Sequence, residues 1–131
     1  MVVLGIDPGV ANTGFGVVES RGSSLLALDG GVIETPAGLP LERRLAAIAD
    51  RIDDLIATHD PRAMAIESIY FGRNAESAFS VGQARGAVIC QAGRAQLPVA
   101  SYTPQQIKLA VCGSGGAEKL RFSRWSARCS T

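Results

Sequence analysis

A chain of 131 residues, 47% apolar and 19% charged, has the length and composition of one globular domain able to bury a core, and it excludes extended disorder. No run approaches the roughly 18 uninterrupted apolar residues of a membrane span, and no basic segment, apolar run and cleavage site open the chain, so it is read as cytoplasmic with no membrane partner. The formal charge of +1 gives no global signal for a polyanion; with Arg121, Arg124 and Arg128 in the last 12 residues, positions 1–119 hold ten basic against twelve acidic residues, so any polyanion site must be local.

Taken in chain order, Val2 to Ile6 is an apolar strand that ends on a carboxylate, Asp7. Phe15 to Glu19 and two stretches around Leu25 to Leu28 and Gly31 to Thr35 continue as strands, with turns expected at Gly9, Gly14 and Gly30-Gly31, close enough in sequence for an antiparallel meander. Leu41, Leu45, Ile48, Ile52, Leu55 and Ile56 recur at spacings of 3 and 4, an amphipathic helix stopped by Asp60-Pro61. Ala63 to Ile66 is a second short apolar strand, and it too ends on an acid, Glu67.

A long helix over Asn74 to Arg94 and a strand over Leu97 to Ser101 follow. Thr103-Pro104-Gln105-Gln106 has the form of a helix start running to Val111, with a glycine-rich loop and another helix start at Ala117. This order predicts an α/β domain, a mixed five-stranded sheet with helices on both faces. The three cysteines, Cys90, Cys112 and Cys129, are 22 and 17 residues apart and indicate neither a disulfide framework nor a metal knuckle. His59, the only histidine, closes the first helix, where an imidazole suits the helix dipole; no chemistry is assigned to it.

Sites in open α/β sheets form at the carboxyl ends of strands, where Asp7 and Glu67 both sit. Should their strands be parallel neighbours, the two acids converge, which requires a cation or a raised pKa. An all-oxygen set without His or Cys favours Mg²⁺ or Mn²⁺ over zinc and suggests metal-assisted phosphodiester cleavage. Taken singly, an acid after a strand is as well explained as a helix cap or turn former.

The blocks GIDPGVANTGFGVV, AIESIYFGRNAESAFSVGQARG and TPQQIKLAVCGSGGAEK, in this order, resemble the successive motifs of RuvC-type Holliday-junction resolvases, a similarity that covers residues 1–119. The resemblance implies a ribonuclease-H-like fold, a homodimer, Mg²⁺ and symmetric nicking of four-way junction DNA in recombination and repair, in company with a branch-migration helicase complex. It makes Asp7 and Glu67 catalytic, metal-binding acids and Tyr70 an aromatic that stacks on a base near the crossover, a task Phe71 shares. Arg73, Lys108 and Lys119 match basic positions along the phosphate backbone. Gln83, Arg85 and Gly86 fall on the long helix that such proteins use partly for dimer packing.

After Lys119 the pattern departs. Residues 120–131, LRFSRWSARCST, form a divergent basic tail where the family carries further helices and an aspartate-rich stretch that completes the metal site; no Asp or Glu follows Glu118. One inserted base after the Lys119 codon, with permitted codons, turns the stretch from Lys119 to Ser130 into KAQVQPVVGALL, which has the family's character, so a single-base deletion is one expectation. The chain as written is then expected to bind junctions better than it cuts them. Three alternatives are carried: another ribonuclease-H-like nuclease acting on RNA, a non-catalytic junction-binding module, and a fragment of an actin-like ATPase, which 131 residues leave too little room to complete.

Overall fold

In the computed structural model, residues 1–68 and 75–102 are described. Strands β1 (Val2–Asp7), β2 (Asn12–Arg21) and β3 (Ser24–Glu34) are followed by helix α1 (Leu41–His59), strand β4 (Ala63–Glu67), helix α2 (Ala75–Arg94) and strand β5 (Val99–Tyr102). They build one five-stranded sheet in the order β3-β2-β1-β4-β5. The first three strands are antiparallel neighbours, while β1 pairs with β4, and β4 with β5, in parallel. The mixed sheet expected from the sequence is therefore present.

The meander differs from expectation in where it turns. The β2–β3 hairpin turns at Gly22-Ser23, between the paired residues Arg21 and Ser24, and Gly22 supplies a φ of 61°. Gly30 and Gly31, expected as a turn, lie inside a continuous β3 opposite Gly16 and Phe15. The reason is steric. A Cβ on Gly31 would sit 3.1 Å from Phe15 Cε1, so the aromatic ring occupies the space that a side chain would need. Gly14 is likewise a strand residue, paired with Asp7 and Val32. A register shift at Val17/Val18 bends the long edge strand, which blunts it as a template for further pairing.

α1 begins after Pro40 and ends where Asp60 enters the left-handed region, with φ 46° and its N–H donating to Ile56 O; Pro61 cannot continue the helix. Its inner stripe is Ile48, Ile52 and Leu55, flanked by partly buried Leu45 and Ile56. Leu41, expected on that stripe, is exposed at the first turn. α2 turns Ala84, Val88 and Ala92, each fully buried, to the same core, and Gln91 Nε2 donates to Asp53 Oδ1 of α1 at 2.6 Å. The imidazole of His59 meets Asp29 Oδ2 at 3.0 Å, tying the end of α1 to β3.

Strand register fixes which sheet face these helices cover. Leu4 aligns with Val17 and Met64, and Ile6 with Phe15 and Ile66; all six belong to the core cluster with residues of α1 and α2. Both described helices thus lie together on one face of the sheet. The helices expected after Thr103 fall outside the described residues, as do Cys112 and Cys129. No described helix is long and apolar enough to cross a membrane.

Candidate active site

Parallel pairing sets Ile6 opposite Ile66, so the next residue on each strand, Asp7 and Glu67, is carried to the same end of the sheet on adjacent strands. Side chains alternate along a strand. With Leu4, Ile6, Met64 and Ile66 facing the helices, Asp7 and Glu67 share the opposite face. Both are buried, at 6% and 4% exposure. Two carboxylates withdrawn from water at one place cost several kcal/mol unless positive charge or donors meet them.

The row behind the acids on that face has almost no relief. Gly5 pairs with Gly16, and Gly16 with Gly30; on the other side Gly5 pairs with Ala65, and Ala65 with Ala100. No side chain larger than a methyl group rises from the sheet along this line.

The turn that follows Asp7 is tied at several points. Thr13 Oγ1, fully buried, donates to Gly9 O at 2.6 Å and accepts from Gly9 N at 3.3 Å. Thr35 Oγ1 donates to Val10 O at 2.6 Å, and Thr35 N donates to Ala11 O at 3.1 Å. Arg44 of α1 then donates from Nε to Thr35 Oγ1 at 2.9 Å and from Nη2 to Thr35 O at 3.3 Å. None of these three residues stood out in the sequence. The available signal was a polar residue just after an apolar strand, Thr35 following Glu34 at the end of β3.

Gly9 is indispensable to this turn, because a Cβ there would lie 2.4 Å from the backbone oxygen of Asn12. Gly9→Ala is expected to displace the turn and destabilise the fold by about 1–3 kcal/mol, read as a lower midpoint in urea denaturation; an unchanged midpoint contradicts the turn as described.

Among the described residues no group of three or more His, Cys, Asp or Glu gathers around a common point, and those residues give this end of the sheet two acids and no soft or imidazole ligand. Such an oxygen-only pair fits a hard divalent cation and does not fit zinc. Of the other residues singled out in the sequence, Tyr70, Phe71, Arg73, Lys108 and Lys119 lie outside the described residues. Arg85 lies on α2, where its Nη2 donates to Ser101 Oγ of β5 at 2.5 Å, and Gly86 is exposed on the same helix.

A family model described as crossover junction endodeoxyribonuclease RuvC matches residues 3–125, running six residues past Lys119. A crossover junction endodeoxyribonuclease RuvC of Brevibacillus brevis is 50% identical over 122 residues, which is 93% of this chain and 74% of that protein. One of Thermomicrobium roseum is 49% identical over 119 residues, covering 91% of this chain and 72% of that protein. Among solved structures, T. thermophilus RuvC in complex with Holliday junction substrate superposes with a TM-score of 0.79 at 38% identity, covering 95% of this chain and 76% of that one. The ribonuclease-H-like sheet, the paired acids at its carboxyl end and these likenesses agree, and the chain belongs to the RuvC family of Holliday-junction resolvases.

Proposed function

We propose that this chain recognises four-way junction DNA and that Asp7 and Glu67 form the metal-binding, phosphodiester-cleaving centre of a resolvase acting in recombination and repair. The observation that carries this reading is the parallel β1–β4 pairing, which brings two buried acids to one end and one face of the sheet. Asp7 and Glu67 would hold Mg²⁺, or Mn²⁺ in its place. When bound, such ions activate a water and stabilise the leaving oxygen of a phosphodiester. The chain's own part is to fix the two carboxylates on rigid strand ends and to leave the neighbouring Gly and Ala row low enough for close approach to the sheet.

Tyr70 is proposed to stack on an exposed base near the crossover, with Phe71 beside it, while Arg73, Lys108 and Lys119 follow the phosphate backbone. A second copy of the chain is proposed to pack through α2. Phe79, Gly86, Cys90 and Gly93 follow one side of that helix, opposite its buried Ala84, Val88 and Ala92; Phe79 is 70% exposed, and a Cβ at Gly86 or Gly93 would meet nothing within 4 Å. A two-fold dimer would present two centres to a symmetric junction and make paired nicks. The proposed setting is the cytoplasm, in company with a branch-migration helicase complex.

A second reading is a junction binder that cuts poorly, supported by the presence of two acids, Asp7 and Glu67, and no third at the centre among the described residues. One experiment tests both readings: binding of labelled synthetic four-way DNA, linear duplex and linear RNA, followed by addition of Mg²⁺ with denaturing gels to score nicks. Preferential binding of the junction supports the assignment, and nicking separates resolvase from binder. Tyr70→Ala is expected to weaken junction binding by about 5- to 150-fold, the equivalent of about 1–3 kcal/mol of stacking, with duplex binding unchanged. Equal affinity for junction and duplex, or preferred cutting of RNA, overturns the assignment.

A further inference from the structure

We infer that Arg44 is a positioning residue for Asp7, acting through Thr35 to hold the turn that fixes where the carboxylate sits. The inference rests on the reading of Asp7 and Glu67 as a cation-binding pair. It starts from a count of protons. Thr35 Oγ1 has one, and donates it to Val10 O at 2.6 Å; the same oxygen accepts from Arg44 Nε at 2.9 Å. The direction of that hydroxyl is therefore set by the guanidinium. Arg44 Nη2 also donates to Thr35 O at 3.3 Å, so the planar fork holds Thr35 at two atoms.

The other end of this chain of bonds is the turn that begins one residue after Asp7. Its backbone is held at Gly9 N and O by Thr13, at Val10 O by the Thr35 hydroxyl, and at Ala11 O by Thr35 N. Pro8 has a fixed φ and no N–H to bond. Thr13 is local to the turn. Thr35, the residue after β3, and Arg44 of α1 tie the Asp7 turn to two further segments of the fold, beside the packing of Val10 in the core. A ligand pair serves a cation only if its oxygens stay within about 0.5 Å of their places, so loosening this turn acts on the centre directly.

A merely structural role predicts something different. Among the described residues Arg44 makes no ion pair; its bonds go to neutral oxygens of Thr35. If the bonds only fastened α1 to the sheet, removing them would lower the melting temperature and leave cation affinity of the folded chain unchanged.

The test uses the full chain and Arg44→Gln, Arg44→Lys, Thr35→Val and Thr35→Ser, with Mn²⁺ as the probe. Free Mn²⁺ is followed by electron paramagnetic resonance, and amide exchange of Gly9, Val10 and Ala11 by mass spectrometry, at a temperature where each variant is folded. Arg44→Gln and Thr35→Val are expected to weaken Mn²⁺ binding by roughly ten-fold, in the range found for groups that orient metal ligands, and to speed exchange in the turn. Thr35→Ser keeps the hydroxyl and should match the parent. Arg44→Lys, one donor in place of a fork, should lose affinity as well, which keeps the question open to test if Arg44→Gln does not fold. Wild-type Mn²⁺ affinity in folded Arg44→Lys and Thr35→Val overturns the inference alone. A parent chain that binds no Mn²⁺ overturns the cation-centre reading and the inference with it.

Discussion

Asp7→Asn and Glu67→Gln are each expected to remove divalent-cation binding and to lower any Mg²⁺-dependent nicking by about 10³-fold, while junction binding in the absence of Mg²⁺ holds steady or tightens. Each change keeps the shape of the side chain and removes its charge. The cation contribution to stabilising a phosphoryl transition state is several kcal/mol, which is what the expected loss of rate represents. Binding moves the other way because a buried negative charge beside the phosphate path is lost, and like charges repel. Nicking gels read the first quantity and gel-shift titrations without Mg²⁺ the second. An Asp7→Asn chain that turns over junctions at the parent rate would show that the acid is a turn former and nothing more. Both substitutions are needed, since the centre is defined by the pair and not by either acid.

Ile66→Ala is expected to cost about 2–5 kcal/mol of folding stability, and Ile66→Val about 0.5–1.5 kcal/mol. Ile66 is fully buried in the middle of the sheet, aligned with Ile6 on one side and Ser101 on the other, under the packing of α1 and α2. Removing its branched end leaves a void that neighbouring strands cannot close without shifting their pairing. Typical domains are stable by only about 5–15 kcal/mol, so this single truncation consumes a large share of the total. Leu41→Ala is the control. Leu41 is exposed, and its truncation should change stability by no more than about 0.5 kcal/mol. Urea unfolding followed by circular dichroism compares the three, and equal midpoints for Ile66→Ala and Leu41→Ala would contradict the core as described.

Much of this architecture is legible in the amino-acid order because it depends on local periodicity. The stripe of α1 from Leu45 to Ile56 and the two apolar runs ending on Asp7 and Glu67 carry their own signatures. The adjacency of the two acids was conditional in the sequence, since it required β1 and β4 to be parallel neighbours, and pairing between strands about sixty residues apart is not a local property. The hairpin shows the limit most plainly. A Gly-Gly pair normally marks a turn, yet here both glycines are strand residues, and Gly31 leaves room for the ring of Phe15, a contact made across the sheet. Arg44 and Thr35 were invisible for the same reason. Their bonds join three separate segments, the turn after β1, the residue after β3 and helix α1, and nothing in the run LERRL distinguishes Arg44 from the exposed Arg43 beside it. Tyr70, Phe71, Arg73, Lys108 and Lys119 rest on likeness of motif, and their tests are those of the junction assay.

The in-register parallel seam between β1 and β4 also makes this centre all-or-none. Orientation along a strand has odd–even parity, so sliding β4 by one position would drive the Glu67 carboxylate into the hydrocarbon layer beneath the helices and expel Ile66 to the far surface. Both displacements are penalised at once, and no intermediate slide relieves either. A partially mispaired sheet therefore cannot persist with a slightly misaligned pair of acids: the core proofreads their alignment, and conditions that melt one erase the other.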